Sequence, residues 1–227
     1  MKFLIVGLGS MGKRRIRCLK KLKCKNIFGF DLNKKRSLEV ASQYKIKTFI
    51  NFKEAFKSVN PDILIISTPP DKHYSYARFS ARNNKNCFIE ASVETYSNTI
   101  KLSNYEKKMK TMILPSCTMQ YFKSPIIIKK LINNNEIGKV WNINYLIGQY
   151  LPDWHPWENI QNFYVSKKKT GACREIVPFE LNWICDIFGI PNVINSHKNK
   201  LSNLKMEADD IYHFTLKYPK NLIANIT

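Results

Sequence analysis

KFLIVGLGSMGKRR, residues 2–15, decides how the rest of the chain is read. A short apolar run reads as a buried strand. Three glycines then fall within six residues, after which Ile16, Leu19 and Leu22 recur at helical spacing. The chain has only 8 glycines among 227 residues, so this junction holds an unusual share of them. Gly7 permits a tight turn, Gly9 leaves room for the backbone to approach a pyrophosphate, and Gly12 lets the helix lie close to the sheet. The helix start at Ser10, Met11 and Gly12 offers free N–H groups to that anion. Asp31 ends the next strand, where an acidic side chain accepts hydrogen bonds from an adenine ribose. Asp31 favours NAD because it repels a 2′-phosphate, while Lys34, Lys35 and Arg36 just beyond leave NADP open.

Outward from this window, strands and helices alternate. NIFGFD (26–31) is a second strand, followed by a helix with Leu38 and Ala41 on one face, a strand at 47–49 and a helix at 53–58. DILIIS (62–67) is a continuous apolar run of the kind shown by a strand covered on both faces. TPPDKHYSYARFSARN (68–83) reads as loop and helix with Asp71 as N-cap, NCFIE (86–90) as a strand, 99–110 as a helix and TMILPS (111–116) as the last strand. This alternation predicts an α/β fold, a Rossmann-type doubly wound parallel sheet, over 1–118. In such a sheet ligands lie beyond the carboxyl ends of the strands, so Ser67, Thr68 and Pro69 and then Glu90 should border the dinucleotide. His73 either faces the nicotinamide end or packs against the loop as a helix-start histidine.

Past residue 119 the pattern changes. After a helix at 124–133, GKVWNINYLIGQY (138–150) reads as a long alternating strand, and 193–204, 211–218 and 222–227 read as extended and antiparallel. A partial α+β domain with an open antiparallel sheet is expected over 119–227. NLIANIT (221–227) reads as a strand in progress, so the chain reads as a truncated gene product.

The net charge of +20 attracts anions in general, but its basic residues are scattered in pairs and triplets and no DNA- or RNA-reading motif accompanies them. No nucleic-acid partner is therefore expected. No segment reaches the ~20 apolar residues of a membrane span, and the N-terminus has no secretory apolar region, so a cytoplasmic protein is expected. Six cysteines, none in C-x-x-C, give no framework for structural zinc.

These pieces resemble the glucose-fructose oxidoreductase and inositol dehydrogenase family, Gfo/Idh/MocA, over essentially the whole chain. The resemblance is carried by GLGSMGKRR (7–15), Asp31, STPPDKHYSYA (67–77), FIEASVE (88–94), NNEIGKVWNINYLIGQY (134–150) and TGACREIVPFELNWICDIFG (170–189). GQYLPDWHPWENI (148–160) is similar to a subgroup linked to surface polysaccharides and sugar nucleotides. The resemblance implies an N-terminal Rossmann domain, a C-terminal open sheet, self-association, and hydride transfer between NAD(P) and a sugar hydroxyl carbon.

It also exposes a departure. The family's Glu-Lys-Pro after the fifth strand is matched at Glu90, but Ala91 stands at the lysine position. Aligned through TGACREIVPFEL (170–181), Glu175 stands at the usual Asp and Phe179 at the usual His, with Glu180 reached by a one-residue slip. Losing one acid/base group costs about 10²- to 10⁴-fold, which leaves a rearranged site feasible. Candidate proton carriers are His155 and Glu175. Trp154 and Trp157 flank His155 and suit stacking on a sugar ring, while Glu180, read as lying in the first turn of a helix begun by Pro178, is a further substrate contact or a helix-dipole partner. A dinucleotide-binding sensor or partner subunit lacking catalysis, and a degenerate gene fragment, are the alternatives.

Overall fold

The computed structural model describes residues 1–90, 95–154, 156 and 158–227, and the chain divides into two compact units, Met1–Ser116 and Cys117–Thr227. In the first, β1 (Lys2–Val6), β2 (Asn26–Phe30), β3 (Lys47–Phe49), β4 (Ile63–Ile66), β5 (Asn86–Ile89) and β6 (Ile113–Pro115) form one sheet in the order β3-β2-β1-β4-β5-β6. Every pairing in it is parallel. Helices α1 (Ser10–Lys21), α2 (Lys34–Tyr44), α3 (Phe52–Val59), α4 (His73–Arg82) and α5 (Tyr96–Met109) connect the strands. Period-two alternation explains the two-sided burial. Leu4, Val6, Leu64 and Ile66 enter one apolar cluster, and Phe3, Ile5 and Ile65 enter another with Ile16 and Leu19 of α1.

Two local expectations are corrected here. On α2 the buried residues are Ser37, Val40 and Tyr44, and Leu38 is exposed, because the helix packs the face that carries β-branched Val40 against the sheet. Asp71 does not cap α4. It lies in a 3₁₀ turn, Pro70–Lys72, and pairs with Lys72 at 3.0 Å, since prolines 69 and 70 start the turn before the helix begins.

In the second unit α6 (Lys123–Asn133) is followed by β7 (Asn142–Tyr145), α7 (Ala172–Phe188), β8 (Val193–Asn199), β9 (Ile211–Lys217) and β10 (Ile223–Ile226). Their sheet has the order β7-β10-β9-β8 and is mixed: β8, β9 and β10 pair antiparallel as expected, whereas β7 joins β10 in parallel. β7 is much shorter than its alternating pattern promised, because its neighbour in the sheet, β10, supplies four residues of ladder. Trp183 and Ile184 of α7 bury against Leu216, Ala224 and Ile226 of the sheet. Pro178 does not begin α7. It sits inside the helix, which starts six residues earlier at Ala172, and the lost N–H of a mid-helix proline is offset by this packing.

Candidate functional site

The strand order reverses at β1, which has β2 on one side and β4 on the other, so the crevice expected of a doubly wound sheet opens beyond the carboxyl ends of β1 and β4. The loops there are tied together by backbone. Gly7 N–H donates to the Phe30 carbonyl at 2.8 Å and Ser67 N–H to the Val6 carbonyl at 2.8 Å. Gly7 has a φ of +92°, and a Cβ on it would lie 2.6 Å from the Ser67 carbonyl oxygen. A Cβ on Gly12 would lie 2.0 Å from the carbonyl oxygen of Gly7, so α1 starts in contact with the turn before it. Both glycines are therefore required by internal packing.

Gly9 is different. A Cβ there would meet nothing within 4 Å and its φ is an ordinary −67°, so nothing inside the unit demands glycine. What the missing side chain leaves is space beside the start of α1. That helix has no side-chain cap and no acidic residue in its first turn, whereas α2, α3 and α5 are capped by Asn33, Asn51 and Thr95. Two buried hydroxyls nearby, Ser67 Oγ and Thr68 Oγ1, have no hydrogen-bond partner among the described residues. Room beside Gly9, the N–H groups of an uncapped first turn at Ser10, Met11 and Gly12, and hydroxyls after β4 without a partner among the described residues together fit a pyrophosphate-bearing cofactor. Pro69 is exposed at the same loop.

Asp31 is 6% exposed and is already engaged. Its Oδ2 accepts from the Leu8 N–H at 2.8 Å, its Oδ1 from the Asn33 N–H at 2.8 Å, and Arg36 reaches Oδ2 at 3.2 Å. The acid thus pins the glycine turn from the neighbouring strand, with lone-pair capacity left for a ribose hydroxyl. Of the basic residues 34–36 set against Asp31 in the sequence, Arg36 forms an ion pair with it in the fold.

His73 is 1% exposed, and its Nε2–H donates to the Thr68 carbonyl at 2.8 Å. Burial pushes its pKa down to about 4, so it stays neutral and shapes the loop from beneath. This is the packed helix-start histidine rather than a side chain facing the crevice. Glu90, 4% exposed, is gripped by Arg15 of α1 through Nε and, at 2.8 Å, through Nη2. The carboxylate holds the Arg15 guanidinium above its ordinary pKa, against the opposing effect of burial. Arg15 was not read from sequence, since nothing local links residues 75 apart.

In the second unit, Glu175 lies in the first turn of α7, where a carboxylate suits the helix dipole, and accepts from Tyr164 Oη at 2.7 Å. Glu180 is not in the first turn but in the body of the helix and 3% exposed, which removes the helix-dipole explanation. Its Oε2 accepts from Tyr145 Oη and Trp183 Nε1, both at 2.7 Å. Burial first and then this carboxylate raise the Tyr145 hydroxyl above its ordinary range, so tyrosine is the donor. Glu180 and Trp154 line one cavity of about 450 Å³ with Tyr150, Ile176, Leu181 and Phe214. Trp154 Nε1 is buried there without a partner among the described residues. Phe179 is partly buried. His155, Trp157 and Ala91 lie outside the described residues.

The two units define a class of protein: a dinucleotide-binding Rossmann unit followed by a unit built on a mixed sheet. Residues 1–115 match the family model described as an oxidoreductase family with NAD-binding Rossmann fold, and residues 127–227 match the GFO/IDH/MocA C-terminal domain. The chain belongs to the Gfo/Idh/MocA family and its first unit is an NAD-binding domain. Among curated proteins none matches it in sequence. Its fold is similar to that of an oxidoreductase from Agrobacterium radiobacter in complex with NAD+, L-tartaric acid and magnesium, with a TM-score of 0.86 at 14% identity, over 100% of this chain and 65% of that one. It is similar to the WlbA dehydrogenase from Bordetella pertussis in complex with NADH and UDP-GlcNAcA, with a TM-score of 0.85 at 14% identity over 100% and 71% of the two chains. Myo-inositol 2-dehydrogenase from Lactobacillus plantarum gives 0.86 at 16% identity over 100% and 68%. The chain thus spans about two thirds of the length of these proteins. Among the described residues no helix is long and apolar enough to cross a membrane, and no cluster of three metal-ligating side chains occurs.

Proposed function

We propose that the protein is an oxidoreductase that moves hydride between NAD and a hydroxyl carbon of a sugar or sugar nucleotide, with an atypical set of proton carriers. The observation that carries the cofactor half is Gly9, whose missing side chain serves no internal contact and leaves room beside an uncapped helix start. Bound there, NAD supplies the hydride acceptor. Ser67, Thr68 and Pro69 border it, and Asp31 takes the ribose.

The chain's own part in the chemistry is to bind the sugar, orient it and take a proton. Glu175 and His155 are the carriers in this reading, with Trp154 and Trp157 against the sugar ring and Glu180 accepting from a sugar hydroxyl through Oε1, which has no partner among the described residues. Support comes from the carboxylates on α7, the helix that carries the family's second motif. Self-association through the exposed face of the β7-β10-β9-β8 sheet belongs to the same reading, as does a cytoplasmic site of action.

A second reading is favoured by one observation: Glu175 and Glu180 each already accept from a tyrosine, which suits a structural role. In that case the protein binds NAD without turnover, as a sensor or partner subunit. Incubation with NAD and a panel of sugar nucleotides, followed at the NADH absorbance, separates the two. The enzyme reading expects NADH to form and Glu175→Gln or His155→Ala to slow it by about 10²- to 10⁴-fold. NADH binding without any turnover overturns it in favour of the second.

A further inference from the structure

We propose that Arg15 is a positioning residue that fixes the carboxyl end of β5 for the nicotinamide half of the cofactor, a role that rests on the NAD reading above. Arg15 touches that strand end twice. Its fork takes both oxygens of Glu90, and its guanidinium carbon lies 4.8 Å from the centre of the Phe88 ring. The Glu90 backbone is in turn tied to β4, its N–H donating to the Ile66 carbonyl at 2.9 Å. Side chain and main chain of one residue are therefore held from two directions.

The start of this linkage is the glycine turn. Arg15 follows Gly12 by three positions and shares its face of α1, and Gly12 rests on the Gly7 carbonyl. The helix whose first N–H groups face the phosphates is thus braced against the strand end that borders the other end of the crevice, so the separation of the two ends is set by one side chain.

Fold stability alone gives a poor account of this pair. Cys87 and Ile89 already bury the apolar side of β5, and a buried ion pair is generally no more stabilising than an apolar pair of the same size. What it adds is direction, and a planar two-point fork holds a carboxylate in one orientation where an ammonium does not. Both oxygens of Glu90 are engaged by Arg15, while the hydroxyls of Ser67 and Thr68 have no partner among the described residues. Among the groups expected to face the cofactor, Glu90 is therefore the anchor and the hydroxyls are the free contacts.

The test uses the full chain and two probes, NADH and ADP-ribose, which share everything except the nicotinamide. Arg15→Lys keeps the charge and loses the fork. It is expected to weaken NADH about ten-fold in a fluorescence titration, with ADP-ribose unchanged within about two-fold by calorimetry. Equal loss of both probes, or loss of neither, overturns the proposal. If Arg15→Lys does not fold, the paired replacement Arg15→Met with Glu90→Met leaves no unpaired charge and is read the same way. Failure of the unaltered protein to bind either probe overturns the NAD reading itself, and this role with it.

Discussion

The two units differ in how the oxygen groups of their candidate sites are partnered. In the Rossmann unit, the hydroxyls of Ser67 and Thr68 have no partner among the described residues, beside a loop in which a Cβ on Gly9 would meet nothing within 4 Å. In the second unit the acidic side chains of the family motif are closed onto neighbours, Glu175 onto Tyr164 and Glu180 onto Tyr145 and Trp183. Unsatisfied buried polar atoms are costly, so a fold retains them where a ligand completes them. Satisfied ones are neutral evidence, since they serve the fold whether or not chemistry also uses them. Glu175 and Glu180 therefore say less about proton transfer than the hydroxyls of Ser67 and Thr68 say about the cofactor, and Trp154 Nε1 is the unpartnered donor left on the cavity that Glu180 lines.

The hardest blow to the first unit is Gly12→Ala. The new Cβ meets a backbone carbonyl that cannot yield, so a loss of about 3 kcal/mol or more is expected in urea unfolding, outweighing the gain in helix propensity. Acid gives the next effect. His73 titrates near 4 when folded and at 6.5 when unfolded, so the unfolded chain binds the proton first. The stability His73 contributes is present above pH 6.5 and lost as pH falls toward 4, about 2 kcal/mol of it by pH 5. Unfolding at pH 7 and pH 5 should show the difference, and His73→Gln should remove it. In the second unit, Glu180→Gln keeps one acceptor for Tyr145 and Trp183 and should cost about 1 kcal/mol. If turnover also disappears with a sugar nucleotide, Glu180 carries chemistry as well and the contrast between the units narrows. Smallest in stability is Gly9→Ala, expected within about 0.5 kcal/mol of the parent yet at least about ten-fold weaker for NADH. Unchanged NADH affinity would remove the argument from Gly9.

Legibility in the sequence followed the range of the interactions. The strands and helices of the first unit were readable because apolar runs and glycine spacing are local signals, and the family resemblance rested on such stretches together with 134–150 and 170–189 of the second unit. Helix faces were less so: Leu38 and Val40 compete for the core on hydrophobicity alone, and tertiary packing chose Val40. Pro178 reads as a helix start by local chemistry, and only the burial of Trp183 and Ile184 explains its place inside α7. The parallel partnership of β7 with β10 joins residues about eighty apart, and the Arg15–Glu90 grip joins residues 75 apart. Neither leaves a mark in the neighbourhood of its members. In the same way the place of Asp31 at the end of its strand was readable, but its bond to the Leu8 N–H appears only when two strands lie side by side.

The position of β1 inside its sheet also has a kinetic side. One edge pairs with β2 soon along the chain, while the other waits for β4, with Phe3 opposite Ile63. Until that loop of about sixty residues closes, the strand that leads into the glycine turn presents an apolar, unpaired edge. Refolding should therefore be slow for a domain of this size and most prone to aggregation before β4 docks, and charged substitutions in 62–66 should show themselves first as loss of soluble yield.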